Sequence, residues 1–587
     1  MIKKLFRQML LTQILSSMTV TLCMLIDSIM IGQFLGVKAM TAYGLSTPIL
    51  LVFAAMGSLI SAGVQVTCGR TVGSGDKKGT NACFTVSVVL AAAISVVGMI
   101  AVLGFTDPIC SLLGAKKTTP EDIEVFDLTR RYLQGFIIGA PAFIAAQIMV
   151  PYMQLSGNRV RLVVAVAAMT VGDVVMDILN VTLLKLDTFG MGLASSVSYY
   201  IAFIIGLIYF LKKDCIFKLK LKLFSGKACR RLLADGIPTL INQVSLVLLT
   251  FVLNKMLLDI SGNGAVAAYS VISTVGNICY AFSSGVAAVA LTLSSVFYSE
   301  ADITSLKKLV KIMCYYAIVI CLAVTVVVLA AAGPVVTLFL VTADAQAAKD
   351  MAIAGFRLFV LSLVPCALNT TFKNYYQGVG SVKLTMAISV FQNFAFAALF
   401  AFILSRFLGV TGVWLGFVCG ETLTLACIAA YVFIKNKKAS FSVDAFAMIP
   451  EGLGVNEEDC FEASVISAED VGRISGEAGE FCTSRGLDSK TAMIIGLCIE
   501  EMANNIVEHG FKAPGDHSIE VKVMKMPDST VLRIRDNCAD FDPVHYLELH
   551  QNEDDPAAHI GIRMVMKLVK RANYVYSLGF NNLTLTL

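Results

Sequence analysis

Three aspartates interrupt long apolar segments in the first third of the chain, where a charged side chain is costly. Asp27 is the only charged residue of the stretch 10–34, and Asp173 and Asp177 lie four residues apart in another apolar stretch. Residues at i and i+4 share one face of a helix. A carboxylate at the centre of a bilayer costs about 2.5–3.5 kcal/mol on insertion scales unless it faces a polar cavity or a partner. These acids therefore indicate a functional site inside a membrane.

The hydroxyl of Ser195 is expected to join these acids at one depth. At about 1.5 Å per helical residue, Asp27 lies roughly 25 Å along its segment, Asp177 roughly 24 Å beyond Arg161, and Ser195 about 8 Å from the opposite end of its own segment. In an apolar core of roughly 30 Å these oxygens meet in the outer part. Carboxylates so close cannot all stay ionised without a cation, so the group is a cation site or a proton-sharing cluster. Helix-end acids that reach water are the alternative.

A second set of polar residues lies near the C-terminus, in EEMANNIVEHGF at 500–511. Glu501, Asn505 and Glu508 share one helix face. A carboxylate and an amide one turn apart can orient a water and bind Mg²⁺ through oxygen. On this spacing alone, an ordinary solvated helix face is the better interpretation. The flanking order favours a site: a strand over 528–536, the segment DNCADFDP at 536–543, a polar loop over 544–558, HIGIRMV at 559–565 and a closing strand over 583–587.

The composition places the first site in a membrane protein. Of 587 residues, 57% are hydrophobic and 15% charged, and the mean hydropathy is +0.76, which excludes a soluble globular chain. The net charge of +4 is spread over short loops, so no nucleic-acid partner is expected. The first apolar run is too long for a cleavable signal peptide. The 16 cysteines contain no CxxC pair and are expected to be small buried hydrophobic residues.

Twelve apolar spans can be marked along the chain. They cover about 10–33, 44–69, 82–105, 127–150, 161–184, 190–211, 233–258, 266–298, 311–332, 353–377, 384–405 and 411–434. Lysines and arginines concentrate in alternate loops, which the positive-inside rule assigns to the cytoplasm. Both termini are therefore predicted to be cytoplasmic, in a multi-pass protein of the cell membrane.

The two halves of the membrane part repeat each other. Ala42-Tyr43 and Gly75-Asp76 recur as Ala268-Tyr269 and Ala301-Asp302 at one common offset. Six spans followed by six of the same orientation predict two bundles around a central cavity. The second half lacks counterparts of the three acids, and its Lys255, Arg357, Lys373 and Glu421 either line the cavity or lie at the interface.

The predicted fold is thus an α-helical polytopic membrane protein with a soluble C-terminal domain. The first six-helix bundle covers 1–218 and the second covers 219–438, and a linker follows over 439–455. The tail domain, 456–587, is predicted to be an α/β sandwich with an amphipathic helix over 489–511 and a short basic helix over 562–571.

The membrane part resembles the multidrug and toxic compound extrusion (MATE) family. The matching features are Asp27 within LIDSIMIGQFLG, GRTVGSGD at 69–76, FGMGLASS at 189–196 and the Asp173-x-x-x-Asp177 spacing. The resemblance covers about 5–435 and implies a cation-coupled antiporter, whose Na⁺ or H⁺ site would be built from Asp27 and Asp177. Asp173 stands where such proteins often carry Asn, so the coupling ion stays open between Na⁺ and H⁺.

The tail domain resembles the ATP-binding domain that histidine kinases share with anti-sigma-factor serine kinases, and the serine kinases more closely. The resemblance implies that Glu501 acts as or near a general base, Asn505 holds Mg²⁺, Asp536 bonds the adenine amino group and the turn at Gly561 approaches phosphate. Two residues depart from that pattern, because Cys538 and His559 stand at glycine positions. Nucleotide binding is therefore expected, with little phosphoryl transfer.

The combined prediction is an antiporter that exports small organic, cationic or amphiphilic compounds, with a nucleotide-binding regulatory tail that has a cytoplasmic protein partner. Two alternatives stay open. One is a flippase for lipid-linked oligosaccharides, which a basic cavity would favour. The other is a membrane-anchored signalling kinase of the anti-sigma type, with the membrane part as its receptor. No GxxxxGK[ST] loop is present, so ATP is not expected to drive transport.

Overall fold

The computed structural model describes residues 2–115, 117–212, 215–339, 346–436, 442–450, 452–512, 516–549 and 560–587. Up to Asn436 the described residues lie mainly in apolar helices, and a small α/β domain begins with a strand at Cys460. The predicted fold class is confirmed.

The first half of the membrane part contains eight described helices. They are α1 (Ile2–Met30), α2 (Gly36–Gly73), α3 (Lys77–Gly104), α4 (Thr106–Leu112), α5 (Pro120–Ile137), α6 (Ala140–Leu155), α7 (Arg159–Leu179) and α8 (Asp187–Phe210). A π-helical turn follows α1 at Ile31–Leu35, and another follows α7 at Asn180–Leu184. Such turns often occur at functional sites, and here they follow the two helices that carry the acids.

The second half contains seven described helices. They are α9 (Gly226–Ser299), α10 (Ile303–Phe339), α11 (Gln346–Val360), α12 (Leu363–Gly378), α13 (Val382–Val390), α14 (Phe396–Leu408) and α15 (Val410–Asn436). Non-helical backbone at Gly262, with φ of 70°, divides α9 into two membrane-length segments. The two predicted spans over 233–258 and 266–298 fall on these segments.

The described helices can supply up to twelve membrane spans. Ten helical segments are long and apolar enough to cross a bilayer by themselves. The pairs α5–α6 and α11–α12 are bent by 48° and 49°, and each pair passes the same test as one broken span. The predicted spans over 127–150 and 353–377 correspond to these bent pairs, so the predicted count is reached when each pair is one span.

The tail domain contains a five-stranded antiparallel sheet with the order β1-β2-β3-β5-β4. Its strands are β1 (Cys460–Val465), β2 (Ile519–Lys525), β3 (Thr530–Asp536), β4 (Arg571–Ser577) and β5 (Phe580–Thr586), and its helices are α16 (Ala468–Ser484), α17 (Ser489–Asn505), α18 (Pro543–Leu549) and α19 (Ile560–Leu568). The predicted strands coincide with β3 and β5.

Two local predictions in the tail domain are wrong. Residues 543–549 form α18, although 544–558 was predicted to be a loop. The helix predicted over 562–571 is α19, which ends at Leu568, and Arg571 already belongs to β4. The start of β4 depends on its pairing with β5, which the local pattern of basic residues does not predict.

The predicted linker is packed against the membrane part where the structure describes it. Residues Val443–Ala447 form a short 3₁₀ turn, whose Phe446 and Ala447 are buried. The hydroxyls of Tyr375 and Tyr376 donate to the carbonyls of Ala447 (2.9 Å) and Phe446 (3.1 Å). This connector therefore holds the start of the tail domain close to α12.

Candidate functional site

The three acids predicted to share a site converge with Ser195 between α1, α7 and α8. The Ser195 Oγ donates to Asp27 Oδ2 at 3.3 Å. Asp27 also lies within hydrogen-bonding reach of Asp173 and Asp177. All four residues, here called the acid cluster, are at most 7% exposed, so water does not compensate for their polarity.

Several oxygens of the acid cluster have no donor. Among the residues that the structure describes, Asp27 Oδ1, Asp173 Oδ1 and both oxygens of Asp177 accept no hydrogen bond. A buried carboxylate without partners is strongly disfavoured, so the cluster requires added positive charge, either protons or a bound cation. Within the same described residues no group of three or more His, Cys, Asp and Glu is arranged as a metal site.

Two further residues at this cluster were not predicted from the sequence. Asp173 lies within hydrogen-bonding reach of Ser198 and Cys23. Ser198 follows Ser195 by one helical turn, and Cys23 precedes Asp27 by one turn, so both share a face with a predicted residue. That i, i+3/i+4 spacing was the available signal.

The second half holds a different buried polar network. Glu421 accepts from the Asn369 Nδ2 at 2.7 Å and from the Gln392 Nε2 at 3.4 Å. The Lys373 ammonium donates to Asn242 and, at 3.2 Å, to Gln392 Oε1. Lys373 and Glu421 are therefore interior residues, and their partners were not predicted.

Lys255 and Arg357 are instead exposed. Of the two interpretations offered for them, the structure agrees with a position at the surface of the helical bundle.

A cavity of about 450 Å³ lies between the two halves. Its polar side chains are Gln13, Ser16, Ser17, Ser58, Ser61, Gln65, Gln147 and Tyr199 of the first half and Thr239, Ser284 and Asn374 of the second. Met149, Met153, Met169 and Phe143 supply apolar surface. No Asp, Glu, Lys, Arg or His belongs to the described lining. Such a cavity suits an amphiphilic molecule that makes adaptable contacts with methionine.

The cavity and the acid cluster share helices. Met169 of α7 lines the cavity, one turn before Asp173. Tyr199 of α8 also lines it and follows Ser198 directly. Any rotation or bending of these helices would therefore reach the cavity.

The tail domain contains a second cavity of about 450 Å³. It is lined by the predicted Asn505, Asp536 and Cys538, and also by Tyr574 and Asn581. Asn581 was not predicted, although it pairs directly with Asp536 across β3 and β5. The position of Asn581 beside Asp536 follows from the register of β3 and β5, which the sequence alone does not give.

Asp536 has a defined hydrogen-bonding role in this cavity. Its Oδ1 accepts from the Cys538 N–H at 2.9 Å and from the Asn581 Nδ2 at 2.8 Å. Oδ2 keeps acceptor capacity and suits an amino group such as that of adenine. Burial raises the pKa of Asp536, which the donor groups of Asn581 and Cys538 partly offset.

Cys538 does not close the cavity, because its side chain packs where another side chain is missing. A Cβ on Gly510 would lie 2.8 Å from the Cys538 Sγ, so the glycine at 510 leaves the room that the thiol takes. Burial raises the pKa of this thiol to about 12, so it is neutral at physiological pH.

Glu501 and Gly561 lie together beside this cavity rather than in its lining. A Cβ on Gly561 would collide with the Glu501 Oε2, so the glycine allows the carboxylate to approach the start of α19. A phosphate bound at the start of α19 would therefore be repelled by the Glu501 carboxylate unless Mg²⁺ neutralised the charge. His559 lies outside the described residues.

Comparisons with known proteins agree with both parts of this description. A family model described as MatE matches residues 13–179 and 238–403, together more than half of the chain. A model described as a histidine kinase-like ATPase domain matches residues 466–587.

Curated relatives and solved structures cover the membrane part. The multidrug export protein MepA of Staphylococcus aureus strain N315 is 23% identical over 413 residues, which is 70% of this chain and 88% of that protein. MepA of Staphylococcus saprophyticus is 22% identical over 421 residues, 70% and 89% of the two chains.

The fold is similar to that of an outward-facing multidrug resistance MATE family transporter of the MOP superfamily, with a TM-score of 0.69, 21% identity and coverage of 76% and 97%. A MOP superfamily transporter from Pyrococcus furiosus gives the same TM-score and identity, with coverage of 76% and 96%.

Proposed function

Because the chain belongs to the MatE family and its membrane part is that of a multidrug efflux transporter, we propose that it exports small amphiphilic molecules in exchange for a cation bound by the acid cluster. The observation that carries this proposal is the convergence of three buried carboxylates, four of whose six oxygens accept no hydrogen bond from the described residues. An ion that enters there neutralises them, and an ion that leaves recreates the charge.

Protons are the favoured coupling ion, with Na⁺ as the alternative. Two carboxyl groups in direct contact share a proton readily. Each cycle would then protonate the acid cluster from one side of the membrane and release the proton to the other.

The substrate class follows from the lining of the central cavity. Uncharged polar side chains and methionines form that surface, so recognition would rest on shape and apolar contact. The described lining of the cavity offers no basic group to an anionic lipid-linked pyrophosphate, which argues against the flippase alternative.

The tail domain would bind an adenine nucleotide with Mg²⁺ and regulate transport. Its residues fit such a ligand: Asp536 Oδ2 for the adenine amino group, Asn505 for Mg²⁺ and α19 for phosphate. The nucleotide would supply binding energy and negative charge. The approach of Glu501 to Gly561 and the thiol at Cys538 favour binding over rapid phosphoryl transfer.

Transport into proteoliposomes under separate gradients tests the coupling. The purified chain is reconstituted, and uptake of ethidium, an amphiphilic cation, is followed under a pH gradient alone or a Na⁺ gradient alone. We expect the pH gradient to drive uptake. Uptake driven only by Na⁺ would assign the acid cluster to sodium, and no uptake under either gradient would contradict the antiport proposal.

A further inference from the structure

One face of the tail sheet carries charges that are buried, although an outward sheet face is normally solvated. Glu520, Lys522, Arg533 and Arg535, here called the charged face, are 1–6% exposed. They alternate with the apolar residues that pack against α16 and α17. The charged face is therefore covered, and its cover is the membrane part.

Two acids between α9 and α10 receive these cations. Lys522 Nζ lies 2.8 Å from Asp302 Oδ2, and Arg535 Nη2 lies 2.6 Å from Glu300 Oε2. Arg533 contacts both acids, at 3.3 Å and 3.5 Å. Burial by itself would raise the pKa of Asp302, but Lys522, Arg533 and Arg535 hold it well below its usual range. Asp302 is therefore ionised, and the contact is a full salt-bridge network.

The other end of the tail domain contacts the first half of the membrane part. The N–H of Leu578, in the turn between β4 and β5, donates to the Leu155 carbonyl at 2.7 Å. Leu578 and Phe580 belong to the apolar core of the membrane part. At Gly157 a Cβ would lie 2.5 Å from the Gly579 Cα. The hairpin thus docks at the end of α6, in the half opposite to Asp302.

The two halves are closed against each other between these docking points, on the side here called the tail side. Thr67 Oγ1 donates to Asp235 Oδ2 at 2.8 Å, and Arg70 Nη1 lies 3.5 Å from the same oxygen. Arg70 also donates to the Gly378 carbonyl at 3.1 Å. Ser295 Oγ donates to the Gln65 carbonyl at 2.9 Å. Each of these contacts joins the first half to the second.

We propose that the charged face and the β4–β5 hairpin are one docking surface for the membrane part's own loops, which clamps the two halves together with the cavity closed toward the tail side. A transporter built from two repeats alternates by rocking one bundle against the other. A body bound to both bundles at one end opposes their separation there. The inference rests on the proposed function only in the premise that the halves move.

The clamp and the nucleotide cavity occupy the same strands. Arg535 of the clamp precedes Asp536 of the cavity, and Phe580 precedes Asn581. Successive residues of a strand point to opposite faces, so each of these strands contacts the membrane part on one face and the cavity on the other. A ligand in the cavity is thereby placed to change the docking.

A distance measurement between the halves tests the clamp directly. Genetically encoded spin labels replace Lys78 at the start of α3 and Lys383 at the start of α13, both exposed and both at tail-side helix ends. Pulsed electron resonance is recorded on the full chain in nanodiscs, without substrate, ion gradient or nucleotide. A chain that failed to transport would therefore still test the clamp.

The informative variant is Glu300→Gln combined with Asp302→Asn, which removes both acidic partners. Asp302 Oδ1 caps α10 by accepting from the Ser305 N–H at 3.0 Å, and the side-chain oxygen of asparagine can accept the same hydrogen bond. We expect one short distance in the wild type and an added longer population in the variant. Unchanged distances in the variant would overturn the proposal.

Asp76→Asn is the matched control. Asp76 occupies the equivalent loop of the first repeat and caps α3 through the Gly79 N–H at 2.9 Å, but it has no described ion pair with the tail. It should leave the distances unchanged, and a shift equal to that of the double variant would contradict the role of the tail. Lys522→Met, which leaves the membrane part intact, should lengthen the distances as well. Lys522→Met tests the clamp if the double variant does not fold, and unchanged distances in it would then overturn the proposal.

Discussion

At the scale of single residues, the chain contains two kinds of buried carboxylate with opposite roles. Asp302 is 2% exposed and meets Lys522 at 2.8 Å. Asp177 is fully buried, and no described donor reaches either of its oxygens. The first is a permanent charge held in a salt bridge. The second needs a partner that the described chain does not supply, which is why an exchangeable ion is proposed there.

Neutralising the acid cluster should abolish coupling. Asp27→Asn and Asp177→Asn are each expected to reduce gradient-driven ethidium transport to the level of empty liposomes, because the amide cannot exchange a proton. Asp173→Asn should be milder, since the family often carries Asn there. Size-exclusion chromatography checks folding, and Asp127→Asn, at an exposed acid of the same half, should transport normally. Wild-type transport by Asp27→Asn would remove the cluster from the mechanism.

Replacing Asp536 should weaken nucleotide binding. Loss of one charge-assisted hydrogen bond costs about 1.5–3 kcal/mol, so Asp536→Ala is expected to weaken Mg-ADP binding roughly ten- to a hundred-fold. Cys538→Gly should bind equally well or more tightly, because it removes a side chain from the lining. Calorimetry on the full chain measures both.

The same calorimetry at several pH values provides a control. Because burial raises the pKa of Asp536, the carboxylate is lost on acidification at a higher pH than the ordinary Asp value of about 3.9. Affinity should fall in that range, and Asp536→Asn should not show the fall. No heat with any adenine nucleotide, in wild type or Cys538→Gly, would make the tail a protein-binding module.

At the scale of elements, helix ends and one hairpin decide how the parts meet. The β4–β5 turn approaches the end of α6 closely because both sides are glycines, Gly157 and Gly579. Gly157 also has a left-handed backbone, with φ of +73°, which a side chain adopts only at a cost of roughly 1–2 kcal/mol. The docked hairpin therefore depends on a residue outside the tail domain.

Gly157→Ala should release the hairpin. Its Cβ would collide with the Gly579 backbone, so amides of 571–586 are expected to exchange with deuterium at least about ten-fold faster, as a decrease of about 1.4 kcal/mol in the free energy of opening would give. Gly114→Ala is the control, since Gly114 has a φ of +97° but its nearest contact is an ordinary 3.9 Å. Equal exchange in the two variants would mean that strain rather than contact governs docking.

At the scale of the whole molecule, orientation connects the two functions. The lysine and arginine bias of the loops predicts that the tail side faces the cytoplasm, where adenine nucleotides are available. A clamp on that side would couple the nucleotide state of the cell to the conformation of the transporter.

Protease protection tests that orientation. Residues 456–587 should be protected in right-side-out vesicles and cleaved in inverted ones, because the tail lies inside the first and outside the second. A hexahistidine tag appended to the C-terminus identifies the fragment on blots. The reverse pattern would overturn the topology and the nucleotide proposal together.

Local and periodic patterns were enough to predict the architecture of the membrane part and the residues of the acid cluster. The lengths of the apolar segments determine the number of spans, and the constant rise of a helix determines how deep each residue lies in the bilayer. The meeting of Asp27 with Asp177 and Ser195 could therefore be calculated along straight helices. The repeat placed Asp76 and Asp302 in equivalent loops for the same reason, since both are local or periodic properties.

The role of the charged face of the tail depends on its contacts with distant parts of the chain. Charged residues that alternate with apolar ones usually form a solvated sheet face, but Glu520, Lys522, Arg533 and Arg535 are buried because the membrane part covers them. Likewise, only the strand register brought Asn581 opposite Asp536. Burial of a charge depends on which distant residue supplies its counter-charge, here more than two hundred positions away, and no local pattern encodes such a pairing.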